Sequence, residues 1–459
     1  MNFGPEKRKK YLFDFIKQIT RIVMRFGLAK NSITPLCPTK IACAGNFADD
    51  FTSIHDDVFV RCLVMDDGKN KALFVSFDLL FHSRELNDAL ADYAHISYGV
   101  KHSEVVVSYT HAHTAPAVKG YNPGHHTDEY EQYIIERAKE CIDKAMLSLV
   151  DGYLTYGSYD TDLNVSRRKI VNGICDMLPN PDRERDTQTF VMCIRDTEDN
   201  VRGIFVNYGC HPVFYPHKTT VSAEFPGRVC QLLDEKYSGC ISMYTQSAAG
   251  DVRPIDTVTK DEDGELKWKY GFDFADVDKF AKKIADGVVS FIDSDQLKKT
   301  ELNIKSDEFE INADVNKAPI EHFCKLYDEF KEYPHNPTTV NCNAIINGAY
   351  DNLPEYITIH CSSLRLSKDL YVATIGGEPC YNVKKIVKSA FGDKELCFIG
   401  YTDSCAYIVD DDIINEGGYE PESFPEYGIA GPFKLGISDL FYNGFLTSIK
   451  RINDTEKLK

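Results

Sequence analysis

The chemistry-bearing residues of this chain gather where apolar runs stop. The run "VVVSY" gives way to "THAHTAP", which places His111 and His113 one residue apart. Alternate residues of an extended strand face one side, so both imidazoles point the same way. Two imidazoles on one face are costly to bury without a partner. "VRGIFVNYG" runs into "CHPVFYP" and supplies His211; "LYVATIGG" ends at Glu378; "LCFIGYT" leads toward Tyr407. Imidazole, imidazole, carboxylate and phenol form a nitrogen and oxygen donor set that zinc accepts while leaving room for water. The four lie far apart in sequence, so no short motif carries the claim. Each also has a plainer reading. Glu378 suits a helix N-terminus, Tyr407 a core, and Arg167 a salt bridge. His102, His125, His126 and His335 read as ordinary structural histidines.

The elements that would hold these residues alternate in type. Strand-like segments include "DVFVRCLVM", "KALFVSFDLL", "SEVVVSYT", "TFVMCIR", "CISMYTQ" and "ITIHCSSLRL". Helical periodicity covers 83–98, 127–148, 224–238, 273–293, 317–331, 380–392 and 432–449. Such alternation predicts an α/β fold of layered mixed β-sheets flanked by helices. Residues 256–270, "DTVTKDEDGELKWKY", read as a polar surface loop or lid, and 333–341 as a second loop.

Composition narrows the partners. The chain has 459 residues, 43% hydrophobic and 27% charged, with a formal net charge of −18. That acidity argues against nucleic acid, which needs clustered Lys and Arg. A small-molecule substrate is the expected partner. No run of 18 apolar residues predicts a membrane span. At the N-terminus, Asp14, Lys17 and Arg21 interrupt the apolar residues, which rejects a secretion signal and leaves an amphipathic extension over 1–23. Fifteen scattered cysteines without a CxxC pair fit reduced thiols in a cytoplasm.

In its ordered segments the chain resembles the neutral (non-lysosomal) ceramidase superfamily. "RFGLAKNSITP" resembles the family's opening strand and turn, and "THAHTAP" its THTHSGP. "NVSRR" resembles NxNR, "NYGCHPV" the second histidine segment, and "SAEFPG" the SADxPG form. "QSAAGDVRP" resembles QxxxGDVSP, "GGEPCYN" the PGE segment, and "AYIVDDDIINEGGYE" the segment with the tyrosine ligand. The resemblance implies a catalytic domain over 24–459 with one zinc held by His111, His211, Glu378 and Tyr407. It places His113 beside the metal and makes Arg167 and Tyr419 further site residues. The implied reaction is hydrolysis of an amide, less readily an ester, by a metal-activated water. His113 would protonate the leaving nitrogen or stabilise the oxyanion, and Tyr419 would serve the oxyanion. Glu224 and Asp251 are the candidates for an assisting base.

Three departures bear on the substrate. Arg253 stands where the family has a serine, and a guanidinium is no nucleophile but binds carboxylate or phosphate. With Arg167 it would hold an anionic part of the substrate. Ser247, nearby, reads as a turn serine. The length leaves no room for the family's C-terminal β-sandwich domain, and no secretion signal is read. Two other functions stay open: a zinc lyase or deaminating enzyme on a polar metabolite, and a catalytically idle zinc-stabilised binding protein.

Overall fold

The computed structural model describes residues 24–42, 50–120, 127–403 and 405–454. The expected extension over 1–23 and His125 and His126 lie outside them. The molecule is a mixed α/β structure of two sheets packed face to face, with helices on both outer sides.

The larger sheet follows the order Ile241–Gln246, Val201–Tyr208, Gln188–Asp196, Val150–Asp160, Arg25–Ser32, Phe59–Asp66, Lys71–Phe77 and Val105–Tyr109, with Lys298–Thr300 added beside Val150–Asp160. The smaller runs Lys305–Asp314, Tyr356–Arg365, Leu370–Ile375 and Glu395–Ile399. Period-two alternation divides the side chains between layers. Leu63 and Met65 join Phe74, Phe205 and Met243 against Leu364, Val372 and Ile399 of the other sheet. Cys62 and Val64 point the opposite way, onto Leu86 and Leu90 of the helix Arg84–Tyr98 and Ile142 of the helix Asp128–Leu147. The helices Glu224–Lys236 and Phe274–Ile292 cover the Val201–Tyr208 end. Tyr381–Phe391 and Ile437–Asp454 cover the smaller sheet.

Within the two large sheets three described strand pairs are parallel: Lys71–Phe77 with Val105–Tyr109, Val201–Tyr208 with Ile241–Gln246, and Leu370–Ile375 with Glu395–Ile399. A parallel pair needs a crossover, and here each crossover contains one of the helices just named: Arg84–Tyr98, Glu224–Lys236 or Tyr381–Phe391. The carboxyl ends of the three units meet at one edge, where Gln246 Nε2 donates to Thr110 C=O at 2.9 Å, the usual location for ligands in α/β sheets. There the two sheets are joined by backbone hydrogen bonds, Tyr109 N–H to Tyr401 C=O (3.0 Å) and Gly400 N–H to Gln246 C=O (3.0 Å).

Four of the longer strands escape the sequence reading. Val150–Asp160 and the hairpin of Asn164–Val171 with Ile174–Asn180 are polar and partly exposed, so they lack a continuous apolar run. Lys305–Asp314 is an edge strand on which charged residues outnumber its inward Phe309, Ile311 and Ala313. The expected loop at 256–270 contains a hairpin, Val258–Lys260 with Leu266–Trp268. The expected loop at 333–341 gives way to the helix Pro337–Ala344, whose first turn is capped by the Asn336 side chain accepting from Thr338 N–H.

Candidate metal centre

His111 and His113 leave the end of Val105–Tyr109, and His211 leaves the end of Val201–Tyr208. The backbone there is bent out of the usual regions. Six non-glycine residues among those described have positive φ, and four of them, His111 (63°), Tyr215 (47°), Glu224 (49°) and Tyr401 (58°), are at this site. Such conformations persist only where the surroundings over-determine them, and they concentrate at functional sites. Gly377 has φ 77°, and a Cβ there would lie 2.3 Å from Ala406 C=O, so only glycine turns the chain into Glu378.

The three imidazoles are buried and form the three-residue ligand cluster found among the described residues, with ligand atoms within 4.8 Å of one another. His111 Nδ1 lies 3.0 Å from Leu80 C=O, and His211 Nδ1 lies 3.2 Å from Ala249 C=O. A carbonyl only accepts, so each Nδ1 carries the proton and donates. Burial, followed by the charges of His111 and Arg167, holds His211 well below the ordinary imidazole value. A ring whose only proton sits at Nδ1 has a bare lone pair at Nε2. Those of His111 and His211 face each other at 3.2 Å. Glu378 Oε2 adds a third, lying 3.2 Å from His111 Nε2 with no hydrogen-bond partner. Two lone pairs and a carboxylate oxygen converging in a dry place repel one another unless a cation sits among them. The donor set thus fits a metal ion, and the two carbonyl contacts are the outer partners that fix ligating histidines.

His113 stands beside this group. Its Nε2 is 3.1 Å from His211 Nε2 and its Nδ1 is 2.6 Å from the Tyr215 hydroxyl. Burial first, then the charges of His111, Arg167 and Arg253, keep it well below the ordinary imidazole value. Its backbone N–H donates to Glu224 Oε1 (2.9 Å), which also accepts from Thr114 N–H (3.1 Å). Burial pushes the Glu224 carboxyl up to about 8. The Asp251 carboxylate instead faces the helix Tyr381–Phe391, accepting from Tyr381 N–H at 3.0 Å.

Tyr407 pairs in register with Glu378 and is buried. The ring of Tyr407 packs with those of Tyr419 and Tyr427, and Arg167 lies over Tyr407 and Tyr419 at 5.2 and 5.3 Å. Arg167 Nε donates to Glu420 Oε1 (2.8 Å), while Nη2 is buried without a partner. The Tyr419 hydroxyl donates to Glu426 Oε2 (3.1 Å). Arg253 is buried on the short strand Val252–Pro254, its guanidinium 4.5 Å from the Trp268 ring. Ser247, expected as a turn serine, is fully buried and donates to Asp186 Oδ2 at 2.6 Å.

The proposed site residues lie at one edge of the sheets in two groups, with Arg253 on the short strand Val252–Pro254 next to the strand of Arg167. His111, His113, His211 and Glu378 form a floor; Arg167, Tyr407 and Tyr419 stand together beside it. The sequence reading passed over three tyrosines. Tyr215 holds His113, Tyr427 donates to Glu378 Oε1, and Tyr401 packs its ring 4.6 Å from that of His111. They come from irregular segments, where periodicity offers no signal.

No protein-family model and no curated protein sequence matches the chain. Solved structures do. Neutral ceramidase from Pseudomonas aeruginosa aligns with a TM-score of 0.68 at 14% identity, covering 93% of this chain and 74% of that one. A ceramidase complexed with C2 gives a TM-score of 0.69 at 14% identity, covering 95% and 76%. The two-sheet architecture that brings these strand ends together is the neutral ceramidase fold.

Proposed function

We propose that this chain is a zinc-dependent hydrolase of amide bonds. The observation that carries the reading is the convergence of two imidazole lone pairs and an unpartnered carboxylate oxygen, and the likeness to ceramidase structures favours an amide substrate. His111, His211 and Glu378 would hold the zinc, with Tyr407 as the fourth ligand that the sequence resemblance implies. When bound, zinc lowers the pKa of water toward ~7 and polarises a carbonyl.

The protein's own groups supply the rest. His113, neutral through burial and steered by the Tyr215 hydroxyl, is placed to take a proton from water at Nε2 and pass that proton to the leaving nitrogen. Glu224 fixes the backbone at His113 and Thr114. Arg167, pinned by Glu420, has Nη2 left over as a donor toward substrate, and Tyr419 would serve an oxyanion on turning its hydroxyl away from Glu426. In the net reaction the water oxygen joins the acyl carbon and the C–N bond breaks. One water proton ends on the amine, and the other leaves with the carboxylic acid or to solvent.

The test is hydrolysis of a panel of N-acyl amides by zinc-loaded protein, read by product mass. Gain of one water in the summed products, abolished in His111→Ala, is the expected result. Turnover that persists undiminished in His111→Ala, or products without added water, would overturn the reading.

A further inference from the structure

Arg253 departs from the way this protein treats three of its other buried arginines. Arg61 is paired with Asp78, Arg167 with Glu420, and Arg168 with Glu420 and Glu416. Among the described residues no carboxylate pairs with Arg253, although only 6% of it is exposed. What surrounds its guanidinium is neutral. Trp268 stacks on it, Tyr270 offers a hydroxyl, and Nε has no partner. A buried charge without a counter-ion is expensive, and stacking on an indole compensates only in part.

A second charge raises that cost. Val252–Pro254 pairs antiparallel with Asn164–Val171, with Arg253 opposite Val165 and Val252 opposite Ser166, so Arg167 and Arg253 sit on neighbouring strands. Burial and then the Arg167 charge disfavour the charged form of Arg253. Both guanidiniums also act on His113. Two like charges, each with an unpartnered N–H, therefore act on the imidazole proposed to serve the leaving group.

We infer that Arg253, braced by Trp268, reads an oxyanion carried by the substrate, so that the amide cleaved here is an anionic one. This rests on the hydrolase reading for its site but not for its measurement. A planar guanidinium suits a carboxylate or a phosphate alike through paired charge-assisted hydrogen bonds. The hairpin holding Trp268 is a specificity element rather than a free loop: Trp268 Nε1–H donates to Met177 C=O at 2.8 Å, tying it to the strand Ile174–Asn180.

Three amides with one acyl chain separate the cases: N-hexanoylglycine, neutral N-hexanoylethanolamine, and the phosphate ester of the latter. The expected result is kcat/KM larger by roughly 10- to 100-fold for an anionic member, the range of a charge-assisted hydrogen bond. Whichever anion leads identifies carboxylate or phosphate. In Arg253→Met the anionic-to-neutral ratio falls to about one, and Arg253→Lys, which keeps the charge, retains part of it. Equal turnover of charged and neutral amides by the wild type, or an unchanged ratio in Arg253→Met, overturns the inference. A second readout needs no catalysis. Trp268 is the single tryptophan of the chain, so its fluorescence reports directly on the group stacked against Arg253. Titration with N-hexanoylglycine or inorganic phosphate should give a saturable change that Arg253→Met abolishes. If no amide is cleaved but this change appears and depends on Arg253, the hydrolase reading falls and the anion site stands. If the wild type gives no saturable change, the anion site falls.

Discussion

The histidine floor and the arginine wall of the site are built on opposite rules. On the floor each ring is locked from behind, His111 by Leu80 C=O, His211 by Ala249 C=O and His113 by the Tyr215 hydroxyl. What remains unanswered is acceptor capacity, pointing inward. Along the wall what remains is donor capacity. Arg168 has both terminal nitrogens bound, to Glu420, Glu416 and Gly417 C=O. Arg167 has one carboxylate and one idle nitrogen, and Arg253 has no carboxylate. Acceptors that converge without a donor call for a cation, and donors buried without an acceptor call for an anion. Arg61 and Arg168 also have an idle Nε, so what sets Arg253 apart from them is the missing carboxylate.

Breaking the floor should have the largest effect. His211→Ala removes one of two facing lone pairs, and amide hydrolysis should fall by about a thousandfold or more, as expected when a metal-activated step is lost; steady-state kinetics with added zinc checks this. Cutting the wall at its structural end comes next. Arg168→Ala leaves Glu416 with Arg183 alone and Glu420 with Arg167 alone in a buried network, a change that typically costs about 3–5 kcal/mol. Arg253→Met should be near neutral in stability or slightly stabilising, because it removes an unpaired buried charge. Urea titration of the two variants side by side sharpens the distinction, and equal losses would erase it.

A smaller, pH-dependent effect lies between the groups. Burial, and then the Glu420 charge, pushes the Asp251 carboxyl from 3.8 up to about 6. The folded protein therefore keeps a proton that the unfolded chain releases between those values. Stability falls as pH rises through that window and the loss is complete above it, by at most about 3 kcal/mol. Asp251→Asn should flatten this segment of the urea-midpoint-versus-pH curve; an unchanged slope would show that Asp251 is ionised in the fold. The smallest effect is expected at the brace. Trp268→Leu removes a cation–π contact of about 0.5–1 kcal/mol, so the preference for an anionic amide should weaken by only about 2- to 5-fold.

Much of the floor was legible in the sequence because apolar runs and chemistry meet abruptly there. "VVVSYTHAH" and "FVNYGCH" each place a buried strand immediately before a histidine, and a parallel strand ends at one edge by topology. The second anchoring group of each ring was not legible, since Leu80 and Ala249 contribute only backbone oxygens, which any residue carries. The tyrosines that complete the site, Tyr215, Tyr401 and Tyr427, come from bends and short turns without a period. The strands from 150 to 180 were missed for a related reason. They cover the core on one side only, so turn residues and charges interrupt their apolar pattern. The hairpin around Trp268 looked like a loop because its two strands have three residues each.

Anomalous diffraction at the zinc edge, on crystals of protein purified without chelators, tests the central claim most directly. The account predicts one zinc per chain, about 2.0–2.2 Å from His111 Nε2, His211 Nε2 and a Glu378 carboxylate oxygen. Metal-free crystals from zinc-supplemented protein, with His111 and His211 hydrogen-bonded to each other through a shared Nε2 proton, would contradict it.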